Sequence, residues 1–543
     1  MAAKGHEIER YKTYGRKKSE KKLKKGGNFL SGVMALSVSA IIVKIIGLVY
    51  KIPMLRLLGS EGMGYFNSAY EIYALLCVIS TAGLPVAMSV MISRCDSREG
   101  AAEKIYSISM RLFLTLGAVG SVLMLALSYP FASFLGNSKS FYSILAISPT
   151  LFFICAVSAF RGYFQGKSRM MPTAVSQLIE ASGKLILGIL FASIALYAGL
   201  SVEATAACAV LGLFLGSVAS AAYLLVLKRR DSKTVNRTRL EDERGIVKQL
   251  LRIAIPVTLS SAVISLTKMV DMTMIIRRLQ GIGYSSEEAF SVYGSYTTLA
   301  VPLFALAPAL ISSVAIPLIP RLGRAIADKD LSAQGETVND GIRLTAIISM
   351  PIGAGLSLFS KQILELIFKG HTEEIALSAP LLSILGFSVT LSCLITTGNS
   401  ILQAYGHPSI PVISMTVGTV VKTALAFILI SDPRINAAGA PISTFFCDLI
   451  INFINFAYIC KYIPKSIDVG KALLRPFIAS AVSVTLAKLL YGIFEVRVGE
   501  SPMLTLASVA VAGMVYLVLC LLLHVIDKND ICKLPLTKNV NDK

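Results

Sequence analysis

Charge is scarce in this chain. Only 15% of its 543 residues are Asp, Glu, Lys or Arg, where soluble globular proteins average about a quarter. Mean hydropathy is +0.69, which excludes an ordinary soluble domain. Paired cysteines are missing too. None of the nine cysteines falls in a CxxC, and most lie in apolar segments, where a cysteine acts as a small hydrophobe. Neither a zinc site nor a disulfide framework is expected. Histidines are few and scattered: His6, His371, His407 and His524. HExxH and GxSxG do not occur. Gly166-Lys167-Ser168 ends like a phosphate-binding loop, but Arg161 stands where the first glycine belongs. No enzymatic activity, ATPase engine, metal or cofactor is therefore expected.

What the chain has instead is long apolar runs. Many reach the ~20 residues that a helix needs to cross a bilayer, and they lack the alternation of membrane β-strands. The expected fold class is an all-α polytopic membrane protein. The first six spans are drawn at 29–50, 66–93, 105–128, 141–160, 172–198 and 203–227. A second six follow at 253–276, 292–319, 342–366, 374–402, 410–431 and 438–460, and two more at 472–494 and 503–526. These fourteen divide the chain into a basic arm (1–28), an N-lobe (29–227), a charged connector (228–252), a C-lobe (253–460), two further helices (461–526) and a polar tail (527–543). The formal charge of +20 would suggest nucleic acid in a soluble protein. Here the basic residues sit in loops, and topology accounts for them. With the N-terminus inside, cytoplasmic segments carry 38 of the 52 Lys and Arg and outer segments nine. That asymmetry predicts two cytoplasmic termini and an even span count. The basic arm suits contact with anionic membrane lipid and does not look like a signal peptide.

The chain also resembles itself. Lys44 in the first helix matches Lys268 in the seventh, and the following helices pair Tyr70 and Tyr73 with Tyr293 and Tyr296. Both of those helices end at an arginine, Arg94 and Arg321. Residues 164–187 parallel 402–425, aligning Gln165 with Gln403, Ser176 with Ser414 and Lys184 with Lys422. Matching points are six helices apart, so the repeats share one orientation and a pseudo-two-fold along the membrane normal. Two six-helix lobes with a cleft between them follow, and two C-terminal helices stand outside the repeat.

Lys44 lies inside an apolar run, where a lysine costs a few kcal/mol unless it meets a cavity or partner. The second helix is interrupted by Gly83-Leu84-Pro85. Together they suggest a polar chamber within the bilayer. Lys44, Lys268, Arg94 and Arg321 are the main candidates for a cationic substrate site. Lys51, Asp271, Lys184, Glu180 and Lys422 are secondary ones. Plainer roles compete. Lys268 and Asp271 (i,i+3), and Glu180 and Lys184 (i,i+4), are spaced to neutralise each other. Arg94 and Arg321 are also placed as positive-inside anchors, and Lys488 as a snorkelling residue. Lysines with few acids suit an anionic ligand such as a phosphate or diphosphate headgroup. Asp271 and Asp448 leave a drug or cation antiporter open, and a non-transporting scaffold for envelope or spore-wall synthesis is a third possibility.

Residues 47–94, GLVYKIPMLRLLGSEGMGYFNSAYEIYALLCVISTAGLPVAMSVMISR, and the segment FRGYFQGKSRMMPTAVSQLIE resemble the multidrug/oligosaccharidyl-lipid/polysaccharide exporter superfamily. The resemblance covers 29–526 and is strongest to the polysaccharide-transporter branch, with its stage V sporulation protein B-like proteins and Gram-positive lipid II flippases. It implies a flippase of the bacterial cytoplasmic membrane that moves an undecaprenyl-diphosphate-linked glycan outward by alternating access. It also implies a monomer whose partners are that glycan and membrane lipid, without nucleic acid. In lipid II flippases, basic residues of helices one, two and eight bind the diphosphate. Lys44 matches the first of these, and Arg94 and Arg321 match loosely. A second basic residue six positions on would fall on Tyr50, beside Lys51. The last two helices would form a groove for the lipid tail.

Overall fold

The computed structural model describes residues 2–94, 101–136, 138–231, 243–462 and 470–525. Among them, thirteen helices are long and apolar enough to cross a membrane. The first, Val38–Ser93, has 56 residues, far more than one crossing needs. It is divided at Gly59, whose φ of 65° lies in the left-handed region that glycine enters without steric cost. The chain crosses twice here, which gives fourteen crossings.

We number them α1 (38–58), α2 (60–94), α3 (Ala101–Ala126), α4 (Ser138–Gly166), α5 (Met171–Tyr197), α6 (Val202–Asp231), α7 (Glu243–Gly281) and α8 (286–327). Then come α9 (Leu331–Leu358), α10 (Thr372–Ala404), α11 (Ser409–Ile430), α12 (Gly439–Tyr462), α13 (Gly470–Arg497) and α14 (Pro502–Leu522). Helical backbone runs back from α1 to Ala2, through the basic arm. Residues 232–242 of the connector and the tail from 526 lie outside the described residues. All seven cysteines among the described residues are free.

The packing repeats with the sequence. In the first half α1 packs on α5, α2 and α3 on α4, α4 on α6, and α5 on α6. Six helices later the same pairs recur: α7 on α11, α8 and α9 on α10, α10 on α12, and α11 on α12. The halves meet where α1 and α2 pack against α7 and α8. The two extra helices pack on each other and on α9, where the Tyr516 hydroxyl donates to the Ile347 carbonyl at 2.8 Å.

Two irregular turns shape the seam. α2 bends at Ala82, and the Gly83 amide donates to the Thr258 hydroxyl of α7 at 3.2 Å. In α8, residues Tyr296–Ala300 form a π-turn, with the Val301 amide donating to the Tyr296 carbonyl. The next carbonyl, on Thr297, would take its π-partner from residue 302. That residue is Pro302, which has no N–H. The Thr297 carbonyl is thus released from the helix, as π-turns at functional positions allow.

Candidate functional cleft between the two halves

Lys51, two turns along α1 from the mid-span Lys44, takes up the released carbonyl, donating to Thr297 O at 2.5 Å. Lys44 and Lys268 are brought into electrostatic contact across the seam, and both stay exposed although each sits in mid-span. Two exposed, mutually repelling lysines bring positive charge to the seam between α1 and α7. Among the described residues, neither forms an ion pair or hydrogen bond.

Partner choice differs from the spacing-based expectations. Asp271 does not pair with Lys268 on its own helix; it reaches Lys422 of α11 at 2.5 Å. Glu180 does not pair with Lys184; it holds Arg161 of α4 at 2.9 Å. In both cases a neighbouring helix offers a shorter approach than the i,i+3 or i,i+4 neighbour. Released from Glu180, the Lys184 ammonium sits among three rings, 4.6 Å from the Tyr70 centroid, 5.1 Å from Tyr50 and 5.4 Å from Phe66. Such contacts are worth about 0.5–2 kcal/mol each and leave an ammonium's hydrogen bonds unmade.

Glu71 is the residue that sequence reasoning missed. It lies on α2, with Lys268, Lys51, Asp271 and Lys184 as its charged neighbours. The signal was present, since it is the one acid in the 66–93 run and a mid-span carboxylate is costly without a role. Asp448 of α12 is buried beside the Asp271–Lys422 pair, and its Oδ2 finds no partner.

The arginines lie elsewhere. α2 ends at Arg94, whose side chain is outside the described set. Arg321, near the end of α8, is exposed and pairs with Asp340 of α9 at 3.5 Å; Asp340 also holds Arg343 at 3.4 Å. Lys488 stacks on Phe359 and Tyr491 at 4.9 and 5.3 Å. Among the described residues, no group of three or more His, Cys, Asp or Glu could hold a metal.

The Gly59 end of the cleft is shut. Ser60 and Ser291 share a 2.6 Å hydroxyl contact, and Asn67 donates to Thr297 and Thr298 at 2.9 and 3.0 Å. Lys139 pairs with Glu287 at 3.2 Å. Gly64 and Gly294 meet backbone to backbone, where any Cβ would collide with the opposite helix.

A two-fold repeat of six membrane helices around a charged central cleft, closed at one end, defines a multi-pass membrane transporter, not an enzyme. The solved structures with this fold include a lipid II flippase MurJ in an inward closed conformation, with TM-score 0.71, 14% identity, and coverage of 90% of this chain and 99% of that one. They also include an inward-facing multidrug resistance MATE family transporter, with TM-score 0.65, 17% identity and coverage of 80% and 98%. The chain belongs to the family described as polysaccharide biosynthesis protein, whose model matches residues 29–326, and the MatE family model matches 256–428. Both lie in the multidrug/oligosaccharidyl-lipid/polysaccharide exporter superfamily. Among its relatives is the stage V sporulation protein B of Bacillus subtilis (strain 168), 26% identical over 531 residues, 94% of this chain and 98% of that protein. The lipid II flippase MurJ of the same organism is 24% identical over 454 residues, covering 78% and 82%.

Proposed function

We propose that this protein moves an undecaprenyl-diphosphate-linked glycan, lipid II or a related envelope precursor, across the bacterial cytoplasmic membrane by alternating access. The observation that carries this is the set of mid-span lysines, Lys44, Lys184 and Lys268, without ion pairs, with Glu71 as an unpaired acid among the charged neighbours of Lys184 and Lys268. A mid-span cation without a partner is costly and is relieved by an anion. A doubly charged headgroup supplies that anion; a cationic drug does not.

In this scheme both termini are cytoplasmic, and the shut Gly59 end is the outer one. The headgroup enters from the cytoplasm, where Arg94 and Arg321 draw it in, and passes to Lys44 and Lys268. The basic arm and the connector face the cytoplasm, α13 and α14 take the lipid tail, and one chain suffices. The experiment is rescue of a bacterium depleted of its lipid II flippase, with exposure of lipid-linked precursor on the outer leaflet as readout. Growth with restored exposure supports the proposal. Failure from a well-inserted protein removes lipid II as cargo. The buried carboxylate of Asp448, whose Oδ2 has no partner, favours a second possibility, cation or drug antiport, which efflux assays on the same strain would detect.

A further inference from the structure

The two halves differ at one decisive position. In the second half Lys422 is neutralised by Asp271, three residues beyond Lys268. The pseudo-two-fold maps Lys422 onto Lys184 and Lys268 onto Lys44, and it maps Asp271 onto Gly47. The first half therefore keeps the lysine and lacks its carboxylate. In place of the carboxylate there is space. A cavity of about 430 Å³ lies between α1, α2, α4, α5 and α6, and Lys44, Gly47, Tyr50, Tyr70 and Lys184 all line it. This volume is in the usual range for small-molecule sites, ~300–1,000 Å³. A Cβ on Gly47 would meet nothing within 4 Å. The Glu180 carboxylate that also borders the cavity is held by Arg161, so the charge left over at its wall is that of the two lysines.

We propose that this cavity binds a phosphate-type oxyanion, seated between Lys44 and Lys184 where the Asp271 carboxylate sits in the other half. Two ammonium groups without hydrogen-bond partners supply up to six donors to an oxyanion, which a single carboxylate could not fill. The Tyr50, Phe66 and Tyr70 rings fix the position of the Lys184 ammonium in advance. The inference deepens the flippase proposal by giving the headgroup's phosphates a seat on the first-half side of Lys44, which also borders the seam. The same chemistry would also admit free phosphate or pyrophosphate.

The test uses the full chain in nanodiscs and radiolabelled inorganic pyrophosphate. Wild type is expected to bind. Gly47→Asp, which supplies the missing carboxylate, and Lys184→Met should each weaken binding by about tenfold or more, the equivalent of one charge-assisted hydrogen bond. Gly47→Asp should keep or raise the thermal midpoint, which separates lost binding from lost folding. Displacement of the label by a short-chain polyprenyl diphosphate assigns the seat to the lipid headgroup; binding without displacement assigns it to a free anion. Wild type that binds neither probe, or Gly47→Asp that binds pyrophosphate as tightly as wild type, overturns the site. Flipping by wild type and Gly47→Asp alike would keep the flippase proposal and remove the site. Binding lost in the variants of a chain that does not flip would do the reverse.

Discussion

A charged residue in an apolar helix is conspicuous in sequence, and its partner is not. Lys44 and Lys268 stood out because each interrupts a hydrophobic run, and the pair should be indispensable. Lys44→Ala with Lys268→Ala is expected to abolish flipping while the protein still inserts, measured by outer-leaflet exposure against membrane abundance. Pairing rules for one helix could not foresee that Asp271 would choose Lys422 or that Glu180 would choose Arg161, because those choices depend on which helices touch. The Asp271–Lys422 pair is largely buried. Asp271→Ala should therefore cost about 3 kcal/mol by stranding an ammonium, and adding Lys422→Met should recover most of the lost thermal midpoint. If the proposed function holds, Glu71 lies among the lysines that receive the headgroup and competes with the cargo. Glu71→Gln should tighten headgroup binding and slow release, lowering both KM and kcat by up to about tenfold.

At the scale of elements, helix positions were legible and their irregularities were not. The spans drawn at 374–402 and 410–431 are found as Thr372–Ala404 and Ser409–Ile430, because hydrophobic length marks a crossing closely. The run drawn at 342–366 is instead Leu331–Leu358 followed by a short helix, Ser360–Ile367; its first turns are polar and escaped a hydropathy criterion. Pro302 was visible in the sequence, but the π-turn before it depends on α8 meeting Lys51. The meeting of Gly64 with Gly294 also needed the fold. Gly294→Leu has no room at this seam and should prop the Gly59 end open, raising maleimide labelling of a cysteine placed at Ser60.

The whole molecule was readable from internal identities six helices apart, since a duplicated sequence dictates a duplicated packing. The closure of one end was not readable, because a transporter working by the proposed alternating access samples both arrangements with one sequence. A Ser60→Cys, Ser291→Cys pair, replacing hydroxyls 2.6 Å apart, should cross-link the closed end and stop transport, and a reductant should restore it. The uncompensated lysines also bear on the return stroke. In the proposed cycle, once cargo leaves, the empty centre carries excess positive charge. Each elementary charge moved through the full field is worth ~2.3 kcal/mol per 100 mV. A membrane negative on the inside therefore pulls the vacant carrier back toward the cytoplasm, so the electrical gradient can act as the resetting force of the cycle, and depolarised cells would accumulate carriers stalled facing outward.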